Sequence, residues 1–351
     1  MTFYIIFGIL MFGVLIFIHE LGHFIAAKKC GVGIYEFAIG MGPKIFSKKG
    51  KDGVTYSVRL LPIGGFVSMH GEDDDENAAG TESSINEKPK WQRFIVISAG
   101  AVMNILLGFV IAFFLIIFGG KLSSTTVESF NFIDAPELQE FNGLKVGDTI
   151  TAVDGKRIHI WHDLVYTLMN MPMENTNLTV IRDGEKVIIE DFIIPSVIDP
   201  KTGLEFGTAH FMMPTTLNKN PLNIAKQTFF QPISIIKVTW VTLFDTLRGK
   251  YGTEAITGPV GVVSEMKDVG ETGGLPSLFY TMLIITINLG IMNLLPFPAL
   301  DGGRLLFLII EAITRRPLNR KIEAGINAAG LILLMLLMVF VTFSDISKII
   351  K

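Results

Sequence analysis

The segment Phe3–Ala27, FYIIFGILMFGVLIFIHELGHFIAA, is 25 residues long and contains one acid, Glu20, and no lysine or arginine. A helix needs about 20 apolar residues to cross a bilayer core of about 30 Å, so this segment is long enough to span a membrane. It has no basic amino-terminal region and no small-residue cleavage site before the lysines that follow. We therefore expect it to stay in the membrane and not to be removed as a signal peptide.

Three further stretches carry no charged residue: Phe94–Gly120 with 27 residues, Gly273–Leu300 with 28 and Ala324–Ser344 with 21. Charged residues make up 18% of the 351 positions, whereas soluble domains carry about 25%. This composition excludes a soluble enzyme and a disordered chain. It predicts a polytopic α-helical membrane protein with four transmembrane helices. The net charge of −3 gives no reason to expect nucleic acid as a partner.

The distribution of lysine and arginine predicts how the chain is threaded. The connection after the first span carries nine of these residues and the short one after the third span carries five. Cytoplasmic loops are enriched in lysine and arginine, so we expect both connections to be cytoplasmic and both termini to lie outside. The predicted spans are 1–27, 93–120, 273–300 and 324–344, and the predicted cytoplasmic loops are 28–92 and 301–323.

The predicted loops contain structure of their own. Between Gly33 and Met69, short β-favouring runs alternate with glycine and proline, which predicts a membrane-associated β meander. Residues 121–205 have the hairpin signals Asp154-Gly155 and Asp183-Gly184 and predict a compact extracytoplasmic α/β domain. For residues 206–272 we expect a linker and an amphipathic helix at the membrane interface, because the apolar run there is interrupted by charges.

The chemistry of the first span lies in FIHELGHF. An ionisable group inside a membrane span is costly and marks a functional site by default. On a helix, His19 and His23 are four positions apart and lie on one face, so both imidazoles can bind one metal ion. Glu20 can then act as a general base on a water molecule without being a ligand.

A catalytic zinc usually has three protein ligands and one open position, so one ligand is still missing. The best candidate is Asp301 in NLLPFPALDGGR, where Pro296 and Pro298 interrupt the helix and a glycine pair allows a sharp turn. In the second span, Gly100, Asn104 and Gly108 recur every four residues, which predicts a face for close helix packing.

These motifs, with the GLKVGD-containing region between them, resemble the site-2 protease family, and specifically bacterial regulated intramembrane zinc metalloproteases of the RseP type with a single PDZ domain. The resemblance covers essentially the whole chain. It implies zinc ligands at His19, His23 and Asp301 and a catalytic base at Glu20. It also implies a substrate-holding role for Asn293, for which a buried polar side chain bonded to a neighbouring helix is an equally good interpretation.

The resemblance further implies a cellular location and a class of substrates. The family's members reside in the bacterial plasma membrane, with the PDZ domain outside and the active site towards the cytoplasm. Their substrates are single-pass membrane proteins, such as anti-sigma factors or signal-peptide remnants, usually after an upstream site-1 protease has cut them.

Two other functions and one structural question stay open from the sequence. The same side chains would suit the transit site of a membrane metal-ion transporter, and the PDZ-like region would suit a catalytically silent scaffold. The segment Tyr56–Gly65 is predicted either to offer a strand edge to an unwound substrate or merely to cover the mouth of the site.

Overall fold

The structure is a computed structural model that describes residues 2–71, 83–131, 138–171, 175–199, 203–250, 258–316 and 319–350. The helices are α1 (Thr2–Lys29), α2 (Lys90–Phe118), α3 (Trp161–Met169), α4 (Pro221–Leu247), α5 (Pro259–Asn293), α6 (Asp301–Thr314) and α7 (Arg320–Ile350), with a short 3₁₀ helix at Ile85–Glu87. The strands are β1 (Ile34–Lys49), β2 (Thr55–Met69), β3 (Leu122–Phe130), β4 (Glu140–Phe141), β5 (Leu144–Lys145), β6 (Thr149–Val153), β7 (Lys156–Arg157), β8 (Asn175–Arg182), β9 (Glu185–Ile193), β10 (Ser196–Ile198), β11 (Glu205–Gly207) and β12 (Met212–Leu217).

The chain forms two compact units. The first comprises Met1–Gly108 and Thr257–Lys351, and the second comprises Phe109–Ile256. In the described part of the chain, four helical segments are long and apolar enough to cross a membrane: Phe3–Lys29, Lys90–Phe118, Val260–Asn293 and Lys321–Ser347. Each of the four apolar stretches in the sequence falls mainly within one of these segments.

The third predicted span, 273–300, begins close to a break inside helix α5 and is wrong at its carboxyl-terminal end. Helix α5 begins at Pro259 and ends at Asn293, with a break at Gly274, whose φ is +65°. Residues 294–300 form turns, because Pro296 and Pro298 lack the amide hydrogen that would continue the helix.

The predicted loop 301–323 is also corrected, because its first part is helix α6. Leu305 and Leu308 of this helix are buried at helical spacing. The basic residues of this stretch predict a cytoplasmic loop, and the apolar spacing of the helix was therefore overlooked.

The predicted β meander is a bent hairpin of two long strands. The start of β1, residues 34–39, pairs with 65–69 on one side and with 55–58 on the other. The end of β1, residues 44–49, pairs with 55–59. A meander would place consecutive strand segments side by side, whereas here the first segment lies between the third and the fourth.

Glycines explain this strand order. Gly40 and Gly42 in β1 and Gly64 in β2 all have positive φ, between +84° and +86°, which lets each strand fold back on itself. The bend also corrects the expected strand edge at Tyr56–Gly65. Tyr56–Val58 is paired on both sides, so within the described residues the outer edge of this sheet is formed by residues 65–69, which pair with the start of β1.

A group of polar side chains ties the bent strands together. Glu36 forms ion pairs with Lys44 at 2.8 Å and with Arg59 at 2.9 Å, and it accepts a hydrogen bond from Ser57. Burial favours a higher pKa for Glu36, but these three donors outweigh it and lower the pKa to about 2. Glu36 is therefore an anion that joins both strands of the hairpin.

The hairpin packs against the first membrane helix through a shared apolar core. Val96 of α2 belongs to the same core, so the hairpin, α1 and α2 form one structural block. The buried members of this core are Ala26, Ala27, Val32, Ile34, Phe37, Val54, Val67, Met69, Ile85 and Val96.

The second unit is built on an antiparallel sheet with the strand order β12-β3-β6-β8-β9, and β7 pairs with β6. Its core contains Phe192 and Leu164, which are both fully buried. The predicted boundary at residue 205 is too early. Strand β12 pairs with β3, with Met212 opposite Phe130, so part of the expected 206–272 linker completes the sheet. Helix α4 lies within the range 206–272, where an amphipathic helix is expected.

Candidate metal centre

Helix α1 brings the two histidines of the first span together. The Nε2 atoms of His19 and His23 lie 3.2 Å apart, as expected for side chains one helical turn apart. Gly22 lies between them in the sequence and faces α2, where a Cβ would overlap the carbonyl of Ala99. A glycine at this position lets the two helices approach closely enough to enclose the imidazoles.

Asp301 reaches the same point from the other end of the chain. Its Oδ2 lies 3.2 Å from Nε2 of His19 and 3.3 Å from Nε2 of His23. Asp301 is the first residue of α6. The two glycines that follow it are required for packing, because a Cβ on Gly302 or Gly303 would overlap the backbone of the turn before Asp301.

The three atoms form a nearly equilateral triangle with sides of 3.2–3.3 Å. Tetrahedral ligands with bonds of about 2.0–2.1 Å to a metal are about 3.3–3.4 Å apart, so the triangle has the right size. Oδ2 of Asp301 is buried and receives no hydrogen bond of acceptable geometry from the described residues. The three side chains therefore fit a bound metal ion better than they fit a hydrogen-bonded cluster.

Helix α2 leaves room for such an ion. Gly100 of α2 faces the two imidazoles, because a Cβ there would overlap Nε2 of His23 and lie 2.7 Å from Nε2 of His19. Only a glycine at position 100 keeps the ligand atoms accessible from this side.

Each imidazole is held through its other nitrogen. Nδ1 of His23 donates to the carbonyl of Val96 at 2.8 Å. Nδ1 of His19 lies 3.4 Å from the amide of Asn104, whose Oδ1 is buried without a partner among the described residues. Turning that amide by half a turn lets Oδ1 accept the ring N–H. Such bonds fix the tautomer that presents Nε2 to a metal.

Sequence reasoning missed this use of Asn104. The pattern of Gly100, Asn104 and Gly108 predicts packing, and Gly108 does pack against Ile287. The available signal was polarity, because Ser98 and Asn104 are the polar side chains of an otherwise apolar 27-residue stretch. A polar side chain inside a span needs a partner.

Glu20 lies beside the histidines but outside the triangle. Its Oε2 accepts a hydrogen bond from the backbone N–H of Val67 at 3.1 Å. This contact joins the helix that carries His19 and His23 to the outer edge of β2. The carboxylate is thereby held at the wall of a cavity.

The cavity has a volume of about 420 Å³ and opens directly onto His19, Glu20, His23 and Asp301. Its remaining wall is mostly apolar and comes from β2, the 3₁₀ helix, α2, α6, α7 and the turn before α6. The residues of that wall are Phe66, Val67, Met69, Ile85, Ile97, Ala299, Leu300, Arg304, Asn327, Ala328 and Leu331.

Two asparagines differ in their position relative to this cavity. Asn293, the candidate for holding substrate, is the last residue of α5 and is half-buried, and it does not line this cavity. Asn327 of α7 does line it. No motif pointed to Asn327, because an asparagine near the start of a span is also typical of a helix terminus.

Residues 7–337 match the family described as Peptidase family M50. The chain belongs to peptidase family M50. Its four candidate spans agree with a membrane-embedded peptidase of this family.

Three relatives align with this M50 peptidase over nearly their whole length. The regulator of sigma-W protease RasP of Bacillus subtilis is 32% identical, covering 97% of each chain. A putative zinc metalloprotease of Fusobacterium nucleatum is 33% identical over 99% of each chain. A putative zinc metalloprotease of Clostridium perfringens is 34% identical over 98% of each chain. Each alignment thus covers nearly all of this chain.

Proposed function

We propose that this membrane peptidase is an intramembrane zinc endopeptidase that hydrolyses peptide bonds in or next to the transmembrane segments of its substrates. The observation that carries the proposal is the triangle of His19, His23 and Asp301, with Glu20 beside it. Because His19, Glu20 and His23 belong to a helix that is apolar enough to span a membrane, the reaction would take place within or at the edge of the bilayer.

In this proposal His19, His23 and Asp301 hold the zinc. The fit of the ligand triangle supports this assignment, and so do the relatives that are named zinc metalloproteases. Bound there, zinc supplies Lewis acidity that polarises a carbonyl group and a water molecule. Val96 and Asn104 keep the imidazoles in the orientation that binding requires.

Glu20 is the proposed general base. It follows His19 directly on the helix, so its carboxylate reaches the edge of the ligand face without joining it. The hydrogen bond from Val67 fixes one carboxylate oxygen, which reduces the number of rotamers that the side chain samples. The role of Glu20 is to take the proton of the attacking water and to deliver it to the departing amine.

The substrate would bind as an extended strand along residues 65–69 of β2. A peptide bond in a helix is protected by its own hydrogen bonds, so the substrate must unwind, and a strand edge replaces the lost partners. The N–H of Val67 points away from its paired strand and towards Glu20, which places this edge directly against the base. Apolar walls at Phe66 and Leu331 suit the side chains of a membrane segment.

We further infer the surroundings of the reaction. The second unit, whose sheet includes β12, is proposed to be a single PDZ-like domain on the outer face of the bacterial plasma membrane. Both termini would lie on that face, and the active site would lie towards the cytoplasm. Asn293 stays a proposed substrate-binding residue.

The proposed substrates are single-pass membrane proteins, such as anti-sigma factors or signal-peptide remnants, that an upstream site-1 protease has already trimmed. One relative is named regulator of sigma-W protease, and this name supports the proposal that anti-sigma factors are substrates.

The deciding experiment compares the purified parent with Glu20→Gln in detergent. The proposal predicts about one zinc in each and cleavage of a synthetic transmembrane peptide by the parent alone. Glu185→Gln, at an exposed position of β9, is the matched control and should cleave like the parent. Equal cleavage by Glu20→Gln would refute the proposal. A metal-ion transporter would move zinc across vesicles without cutting the peptide, and a silent PDZ scaffold would do neither.

A further inference from the structure

The turn that leads into Asp301 contains an unusual backbone conformation. Ala299 has φ = +70°, in the left-handed region that alanine rarely adopts because its Cβ crowds the carbonyl oxygen. Such a conformation persists only where the surrounding structure holds it. Here the backbone N–H of Ala299 donates to Oδ1 of Asn327 on α7 at 3.2 Å.

The same helix contacts the preceding residue of the turn. Gly330 lies about one helical turn after Asn327 and packs directly on Pro298, whose carbonyl oxygen is 2.9 Å from the position that a Cβ would occupy. Helix α7 therefore contacts two successive residues of the turn: Ala299 through a hydrogen bond and Pro298 through close packing. Asp301, the first residue of α6, follows Ala299 by two positions.

We propose that Asn327 is a positioning residue that sets the distance between Asp301 and the two histidines. This inference rests on the proposed role of Asp301 as a zinc ligand. Without the hydrogen bond, Ala299 would relax towards an ordinary backbone conformation, and the two residues after it would rotate with it. Metal sites tolerate ligand displacements of only about 0.2 Å, so a small rotation would weaken binding.

The architecture explains why a fourth span is part of the site although it supplies no ligand. The histidines lie within α1, which α2 packs against. Asp301 instead directly follows a turn, residues 294–300, that is interrupted by two prolines, so its direction depends on how that turn is held. Asn327 provides that support from α7. Its position on the cavity wall also allows the alternative that it contacts substrate, and the two roles have different consequences.

The test measures zinc affinity by competition with a chelator in the purified full-length protein. Asn327→Ala should weaken zinc binding about 10- to 100-fold, as the loss of a residue that supports a ligand does. Asn327→Asp keeps the acceptor oxygen and should stay closer to the parent. Asn319→Ala is the matched control, because Asn319 also accepts a backbone N–H of α7 but lies outside the cavity wall.

A second substitution tests the mechanism itself. Ala299→Gly removes the penalty of the left-handed conformation, so the loss caused by Asn327→Ala should be at least about threefold smaller in that background. The Co²⁺-substituted protein gives a further readout, because its visible absorption bands report the ligand geometry. Asn327→Ala should change these bands and the double variant should restore them.

The outcomes separate this inference from the proposed function. Parent-like zinc affinity in Asn327→Ala, with a raised KM alone, would overturn the positioning role in favour of substrate contact. An equal loss with alanine and with glycine at position 299 would also overturn it. If Asp301→Ala bound zinc like the parent, the ligand assignment itself would fail. A loss in Asp301→Ala without one in Asn327→Ala rejects only the inference made here.

Discussion

Oε2 of Glu20 accepts a hydrogen bond of 3.1 Å from the backbone N–H of Val67. Together with the shared apolar core, this contact connects the helix that carries both histidines to the outer edge of the bent hairpin. The orientation of the base and the position of the strand edge are therefore coupled. If the hairpin moves when a substrate strand binds, Glu20 must respond to that movement.

Val67→Pro tests this coupling, because proline removes the donating N–H. Proline is tolerated on an edge strand whose amide faces away from its partner. We expect unchanged zinc content and a kcat that is lower by about 10- to 100-fold, since general-base catalysis contributes about 10²- to 10⁴-fold and only its orientation is impaired. The measurement is steady-state cleavage of a transmembrane peptide together with zinc analysis.

Val67→Ala is the control for this experiment, because it shortens the side chain and keeps the N–H. It should retain most of the parent kcat. Loss of zinc in Val67→Pro, or equal kcat values for the two variants, would show that the hydrogen bond does not orient the base.

Gly100 and Gly108 on α2 make a matched pair for testing the metal centre. A Cβ at position 100 overlaps Nε2 of His23, which cannot move without leaving the ligand triangle. A Cβ at position 108 meets the flexible side chain of Ile287 at 2.6 Å, and that side chain can change rotamer. We expect Gly100→Ala to lose zinc by at least about tenfold in affinity and Gly108→Ala to keep it.

Chelator competition and thermal unfolding, measured on both variants, check this expectation. Gly108→Ala should show at most a modest destabilisation of about 1–3 kcal/mol from overpacking. Comparable zinc binding by the two alanine variants would mean that the triangle does not lie against Gly100 when metal is present.

Asn104→Leu tests the support of His19. Leucine fills a similar volume without an acceptor for the ring N–H, so the imidazole loses its fixed tautomer. Removing such a partner costs about 10- to 100-fold in metal affinity. Ser98→Ala is the comparison on the same helix. Among the described residues, the Ser98 hydroxyl donates to carbonyls of its own turn at 2.8 and 3.4 Å, so this variant should bind zinc like the parent. An unchanged affinity in Asn104→Leu would assign that residue to packing alone.

Local patterns in the sequence predicted the local parts of this site. The spacing of His19 and His23 is a property of one helix, so the sequence alone places the two imidazoles on one face. Their meeting with Asp301 was predicted only from the chemistry that a third ligand must satisfy, and the structure brings the three together. Whether they bind zinc stays a prediction.

The other features of the fold and of the candidate site depend on contacts that no sequence pattern reveals. The strand order of the hairpin follows from bends at glycines such as Gly40, and a bent strand has the same alternation as a straight one. The role of Asn327 depends on the left-handed conformation of Ala299, a residue that does not signal such a conformation. The helix α6 was overlooked because loop charge outweighed its apolar spacing.

Asp345, near the end of α7, offers a test of the fold that leaves the metal centre alone. It is 2% exposed, and its two carboxyl oxygens accept the N–H groups of Gly258 at 3.2 Å and Gly261 at 2.8 Å. These amides lie at the beginning of α5, where helical N–H groups have no partner within the helix. Asp345 thus fastens the last span to the start of the third.

Replacing Asp345 with alanine should lower the free energy of unfolding by about 1–3 kcal/mol, because buried donors lose their acceptors. Asp345→Asn keeps one acceptor oxygen and turns an N–H₂ group towards the second amide, so it should also destabilise, but less than alanine. Thermal unfolding in detergent measures both variants. Their zinc content per folded molecule should equal that of the parent, because none of the three residues lines the cavity at His19, His23 and Asp301. A loss of zinc without a loss of stability would show that this contact acts on the site and not on the assembly of the spans.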